Sequence, residues 1–81
     1  MFDNKLLVNL YVLSLDRKFE IFIPVDEKIG NILKLLENSL SEYNMITNDK
    51  TLLNLYNGQI YNNNDVIRNI DIKNGTKLIL M

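Results

Sequence analysis

The side chains able to do chemistry are few, and their spacing decides what they can do. Asp16, Glu20, Asp26 and Glu27 are carboxylates close together in the chain, the raw material for paired acid–base work. Asn64-Asp65 offers oxygen ligands of the kind calcium takes, and Ser39, Ser41 and Thr47 offer hydroxyls. None of these completes a constellation. Cysteine and histidine are absent, which removes disulfides, thiolate nucleophiles, the commonest general base and the usual sulfur and imidazole zinc ligands. Without an imidazole nothing activates the hydroxyls, and no loop carries the alternating carboxylates of a calcium site. Asp26 and Glu27 read as the start of a helix, with Asp26 as N-cap and Glu27 adding negative charge to the first turn. Glu20 reads as the solvent side of a strand. The pattern points away from catalysis and from any metal or cofactor, and towards recognition by a surface.

Composition narrows the partner. Eighty-one residues suffice for one domain, expected to run over 1–81 around a single small core. Nine basic and ten acidic residues give a net charge of −1, and the basic ones are scattered rather than gathered into a phosphate-neutralising stripe. A protein rather than a nucleic acid is the expected partner. The unbroken apolar runs, 10–13 and 78–81, are far too short to cross a bilayer, and no charged start with an apolar signal core precedes the first strand. A soluble, cytoplasmic protein without direct membrane insertion is expected. Asparagine recurs throughout, but interleaved with regular apolar positions, which fits an AT-rich coding bias better than a prion-like tract.

Periodicity supplies the elements that must position any surface. Leu6, Val8, Leu10 and Val12 alternate with Leu7, Asn9 and Tyr11, the period of a strand with one buried face, and Val8, Leu10 and Val12 are assigned inward. A polar connection over 14–18 leads to a second strand with Phe19, Ile21 and Ile23, closed by Pro24. Ile29, Ile32, Leu33, Leu36 and Leu40 form one helical stripe to lie across the sheet. Gly30 near its start suggests either a close approach to a neighbouring backbone or a tolerated glycine. A polar loop over 41–50, with Met45 or Ile46 tucked under it, precedes a strand on Leu53 and Leu55, a turn at Asn57-Gly58 and a short return from Ile60-Tyr61. Asp65 is placed to cap a helical turn through Val66 and Ile67, and Ile70 and Ile72 anchor the connection. After Asn74-Gly75 the last strand puts Leu78 and Leu80 in, and Ile79 and Met81 out. The first and last strands are expected side by side at the sheet centre. Leu7, Tyr11, Ile79 and Met81 then share the face opposite the helix, with Tyr56 joining from the third strand, while Tyr43 and Tyr61 cover the core.

This order is that of an α+β, β-grasp sheet of four to five strands on one main helix, and over nearly its whole length the chain resembles ubiquitin-fold proteins. The features that carry the likeness are the hairpin ending at Pro24, the helix over 29–40, Leu55-Tyr56-Asn57-Gly58-Gln59, Asp65-Val66-Ile67 with Ile72, and Asn74-Gly75-Thr76-Lys77-Leu78. Through Ile23-Pro24, Lys28-Ile29, Asn31-Ile32-Leu33, Ser39-Leu40, Gly58-Gln59, Asn64-Asp65-Val66-Ile67 and Ile72 with Asn74-Gly75 it resembles the YukD/EsaB family of Gram-positive type VII secretion. That resemblance implies an accessory or regulatory part in a secretion system, acting through protein contacts on the face where ubiquitin's partners dock. Leu7, Tyr11, Tyr56, Ile79 and Met81 are the implied contact residues. Conjugating relatives use a flexible Gly-Gly tail, whereas Met81 is expected within the sheet, so a non-conjugated module is the main reading. The alternative is a carrier or modifier whose C-terminus is used chemically after processing.

Overall fold

The computed structural model describes residues 4–81, and its first half follows the periodicities closely. Alternation gives β1 (Lys5–Val12) and β2 (Arg17–Pro24), paired antiparallel with Lys5 opposite Pro24 and Val12 opposite Arg17. A 3₁₀ turn over Leu13–Leu15 joins them, and Asp16 closes it at φ 51°, a left-handed conformation that Asp tolerates better than most side chains. The apolar stripe gives α1 (Ile29–Ser39), which buries Ile29, Ile32, Leu33 and Leu36, with Leu40 buried just beyond its end.

The start of α1 departs from expectation. Neither Asp26 nor Glu27 caps it: the N-cap position is Lys28, which makes no side-chain cap, and the first turn holds no acidic residue. Its free amide donors are instead taken by backbone carbonyls from a distant loop. Ile29 N–H donates to the Asp65 carbonyl at 2.8 Å and Gly30 N–H to the Asn63 carbonyl at 3.0 Å. A Cβ on Gly30 would meet Asn63 at 3.3 Å, which favours the close-approach reading of that glycine. Asp26 pairs with the Arg68 guanidinium at 2.8 Å, and Glu27 accepts from the Asn31 amide at 2.9 Å. Asp65 likewise does not cap the turn it precedes. The 3₁₀ turn is Ile67–Asn69 with Val66 at its N-cap position, and the Asp65 carboxylate accepts the Asn62 N–H at 2.9 Å.

The third strand runs in the opposite phase to the one expected. β3 is Leu52–Asn54, with Leu52 and Asn54 buried, Leu53 half-buried on the outer face and Leu55 exposed beyond it. The return after Gly58 is a single bridge, Ile60 against Leu53, rather than a strand. In the loop before β3, Met45 is buried and Ile46 exposed. Thr47 is held there by giving its N–H and hydroxyl to the Glu37 carboxylate at 2.8 and 2.9 Å, the backbone bond foremost in drawing the Glu37 carboxyl below its usual range.

β4 (Lys77–Leu80) completes a four-stranded mixed sheet in the order β2-β1-β4-β3, with β1 and β4 parallel at its centre and the outer pairs antiparallel. Val8, Leu10, Val12, Leu52, Leu78 and Leu80 face α1 and form the core with its apolar stripe, Tyr61, Ile67 and Ile72. Leu33, 5 % exposed on α1, belongs to this cluster. Leu33→Ala is expected to lower unfolding free energy by about 2 to 5 kcal/mol through the cavity it leaves. Leu35→Ala, on the solvent side of the same helix, should stay within about 0.5 kcal/mol of the parent in the same urea titration.

Candidate protein-interaction face

Because side chains alternate along each strand, the residues between the core positions line the other face of the sheet. Register aligns them into rows across the strands. Lys18 stands opposite Tyr11, Tyr11 opposite Ile79, Ile79 opposite Leu53, and Leu53 bridges to Ile60. The next row is polar: Glu20 opposite Asn9, and Asn9 opposite Lys77. Beyond it Phe22 stands opposite Leu7. The face thus carries a main apolar row, a polar row, and a second apolar pair near the end of β1.

A partly open groove of about 720 Å³ lies over the first two rows, with Tyr11, Ile79 and Leu55 as its apolar walls and Lys18, Glu20 and Lys77 as its charges. Among the described residues none of these three charges has an ion-pair partner within the chain. Tyr11 is held in place by donating its hydroxyl to the Asp16 carboxylate, and that bond foremost raises its pKa. The left-handed residue of the β1–β2 turn therefore anchors the aromatic ring of the groove.

Of the residues the sequence singled out, Tyr11 and Ile79 stand side by side in the groove. Leu7 lies on the same face at the far end of β1, with its backbone locked to the turn before β4: its N–H donates to Asn74 Oδ1 at 2.9 Å and its carbonyl accepts from Gly75 at 2.7 Å. Met81, 40 % exposed, lies past β4, its backbone paired with Thr51. Tyr56, 82 % exposed, lines a separate polar depression with Asn54, Asn57, Asp71 and Lys73. Leu53, Leu55 and Ile60 belong to the apolar face and were not expected there. Leu53 and Leu55 make their phase the more apolar of the two, yet the structure turns Leu52 and the polar Asn54 inward.

Asn54 is buried because its polar atoms are used. Its amide donates to the Tyr61 hydroxyl at 3.1 Å, and its carbonyl oxygen accepts the Tyr56 N–H at 2.8 Å. The Tyr61 hydroxyl donates onward to Asp71, which also accepts from the Asn57 side chain. This network fixes the turn around Gly58, whose φ of 72° suits glycine, and so sets where Leu55, Tyr56 and Ile60 project. The bond from Tyr61 is the main reason the Asp71 carboxyl lies below its ordinary range. Tyr61 is pushed from 10.0 to about 12, first by burial and then by its bond to Asp71.

The carboxylates considered for catalysis are occupied otherwise. Asp16 holds Tyr11, Asp26 holds Arg68, Glu27 holds Asn31, and Glu20 stands in the polar row. Among the described residues no three acidic side chains converge as a metal site would require, and no helix is long and apolar enough to cross a membrane.

No protein-family model matches the chain, and no curated protein matches it in sequence. Solved structures do match in shape. A chain described under molecular mimicry of SUMO in DNA repair superposes with a TM-score of 0.80 at 12 % identity, covering 100 % of this chain and 95 % of that one. The N-terminal ubiquitin-like domain of the 4931431F19Rik protein gives 0.76 at 14 % identity, covering 96 % of this chain and 74 % of that one. A chain from the complex of ATBAG1 with HSP70 gives 0.73 at 16 % identity, covering 94 % of this chain and 39 % of that one. The fold is that of the ubiquitin-like β-grasp, one helix packed on a four-stranded mixed sheet.

The Tyr61 network has a pH signature. The unfolded chain releases the tyrosine proton near 10 and the folded one only near 12, so this contribution to stability is complete below about pH 10 and lost as pH rises to about 12. On the acid side the Asp71 contribution is present above the unfolded carboxylate pKa and lost as pH falls through its lowered folded value. Tyr61→Phe should flatten the alkaline fall and weaken the acid one in urea unfolding across a pH series. Unchanged slopes would show that Tyr61 does not titrate as assigned.

Proposed function

We propose that this chain is a non-conjugated, non-enzymatic protein-interaction module that docks a larger protein on the outer face of its sheet. The observation that carries the reading is the row Tyr11, Ile79, Leu53 and Ile60, with Leu55 beside it, left open on the face opposite the helix. Isolated exposed apolar residues are ordinary, but here register joins them into one strip bordered by Lys18, Glu20 and Lys77. An aromatic anchor beside aliphatic side chains, with charges at the rim, is the composition of a protein-docking patch.

The partner is a cytoplasmic part of a type VII secretion apparatus, and the module acts as an accessory or regulatory component of it. This rests on the resemblance to the YukD/EsaB family at Ile23-Pro24, Lys28-Ile29 and Asn64-Asp65-Val66-Ile67. Within the apolar strip Tyr11 and Ile79 are the central contacts, Leu7 and Met81 extend the surface, and Tyr56 forms a flanking contact from the neighbouring depression.

Calorimetric titration against the cytosolic portion of the secretion ATPase tests both parts. Tyr11→Ala combined with Ile79→Ala should keep cooperative unfolding and weaken binding about tenfold or more. Binding unaffected by the double substitution would remove the face from consideration. A parent protein that binds no component of the apparatus would remove the secretion assignment.

A further inference from the structure

The open side of β2 carries a pattern that fits a second copy of itself. Asn9 N–H donates to the Thr76 carbonyl and the Leu7 carbonyl accepts from Gly75, so the odd-numbered residues of β1 direct their backbone groups towards β4. The even-numbered Val8, Leu10 and Val12 therefore face β2, where they stand opposite Ile21, Phe19 and Arg17. It follows that Lys18 and Glu20 turn their N–H and C=O outward, along the edge at the end of the order β2-β1-β4-β3. Among the described residues neither makes a further hydrogen bond or an ion pair. An edge strand with open backbone groups at Lys18 and Glu20 is a template for another strand.

Charge selects the register. When two copies of β2 run antiparallel with Phe19 facing Phe19, Lys18 of each stands opposite Glu20 of the other. Both residues present outward backbone groups, so each Lys18–Glu20 pair exchanges two ladder hydrogen bonds while the opposite charges meet on one face. A slip that centres the pair on Glu20 sets carboxylate against carboxylate, which is repulsive. A slip that centres it on Ile21 brings Lys18 to Pro24, which has no N–H to give. At the two-fold axis Phe19, half-buried and packed edge-on against Tyr43 at 5.7 Å between ring centroids, would be covered by its counterpart.

We propose that the chain forms a two-fold homodimer through antiparallel β2 edges, giving one eight-stranded sheet with two outer grooves side by side. The test needs no partner protein. Sedimentation velocity of the full chain should show a concentration-dependent monomer–dimer equilibrium, with hydrogen exchange at the Lys18 and Glu20 amides slowing as dimer fills. Lys18→Glu alone and Glu20→Lys alone should each shift the mass to monomer, because each sets like charges opposite. Mixed in equal amounts the two variants should restore a dimer, since the copy with carboxylates at both positions then faces the copy with ammonium groups at both. Circular dichroism of each variant confirms that the fold is kept. A parent chain that remains monomeric at about 1 mM overturns the proposal. So does a dimer indifferent to both reversals, which would lie on another surface, or edge amides that gain protection only when a foreign extended peptide is added.

Discussion

The parallel pairing of β1 with β4 is the constraint on which the rest of the molecule depends. It joins residues more than sixty positions apart, through the Asn74 side chain and the Gly75 and Thr76 backbone against Leu7 and Asn9. Gly75, at φ 83°, makes the turn that delivers its N–H to the Leu7 carbonyl, a conformation a β-carbon would resist. Once Asn9 meets Lys77, register fixes both faces together. Leu10 is set beside Leu78 and Val12 beside Leu80 under the helix, and Tyr11 beside Ile79 on the outside. A slip of one residue would exchange those faces, so the core and the candidate docking strip are specified by the same hydrogen bonds.

Around that centre several polar groups find their partners beyond their own turn of chain. The start of α1 is completed by carbonyls of residues 63 and 65, Thr47 is held by Glu37, and Asn54 by Tyr61. Among the described residues no buried side-chain nitrogen or oxygen lacks a partner. Each arrangement replaces a local device with a tertiary one and ties a loop to the core. Of these, the Asn54 contact is the one that bears on the outer face, because it sets the turn beside Leu55.

How much of this is legible in the sequence varies with the range of the interaction that decides it. Val8, Leu10 and Val12 and the stripe from Ile29 to Leu40 declare themselves because burial on one face leaves a period in the chain. The central placement of the last strand follows from its apolar pattern, and with it the meeting of Tyr11 and Ile79. Asp26, Glu27 and Asp65 mislead because they sit where a local cap belongs, while the actual partners of the α1 amides are carbonyls, which any residue supplies. The phase of β3 is inverted in the sequence, where Leu53 and Leu55 outweigh Leu52 and the polar Asn54, so Leu53, Leu55 and Ile60 escape notice as surface residues. Tyr56 is visibly exposed, but the turn that carries it away from the groove is set by the Asn54–Tyr61–Asp71 network, which leaves no periodic trace.

The borrowed completion of α1 also orders events during synthesis. Residues 29–39 leave the ribosome well before residues 62–65, and a helix of eleven residues is marginal in water by itself. Its first amides gain their carbonyl partners only from that later loop. The carbonyls that complete its first turn belong to the same stretch of chain that brings Ile67 into the core, so the two are tied in one contact region.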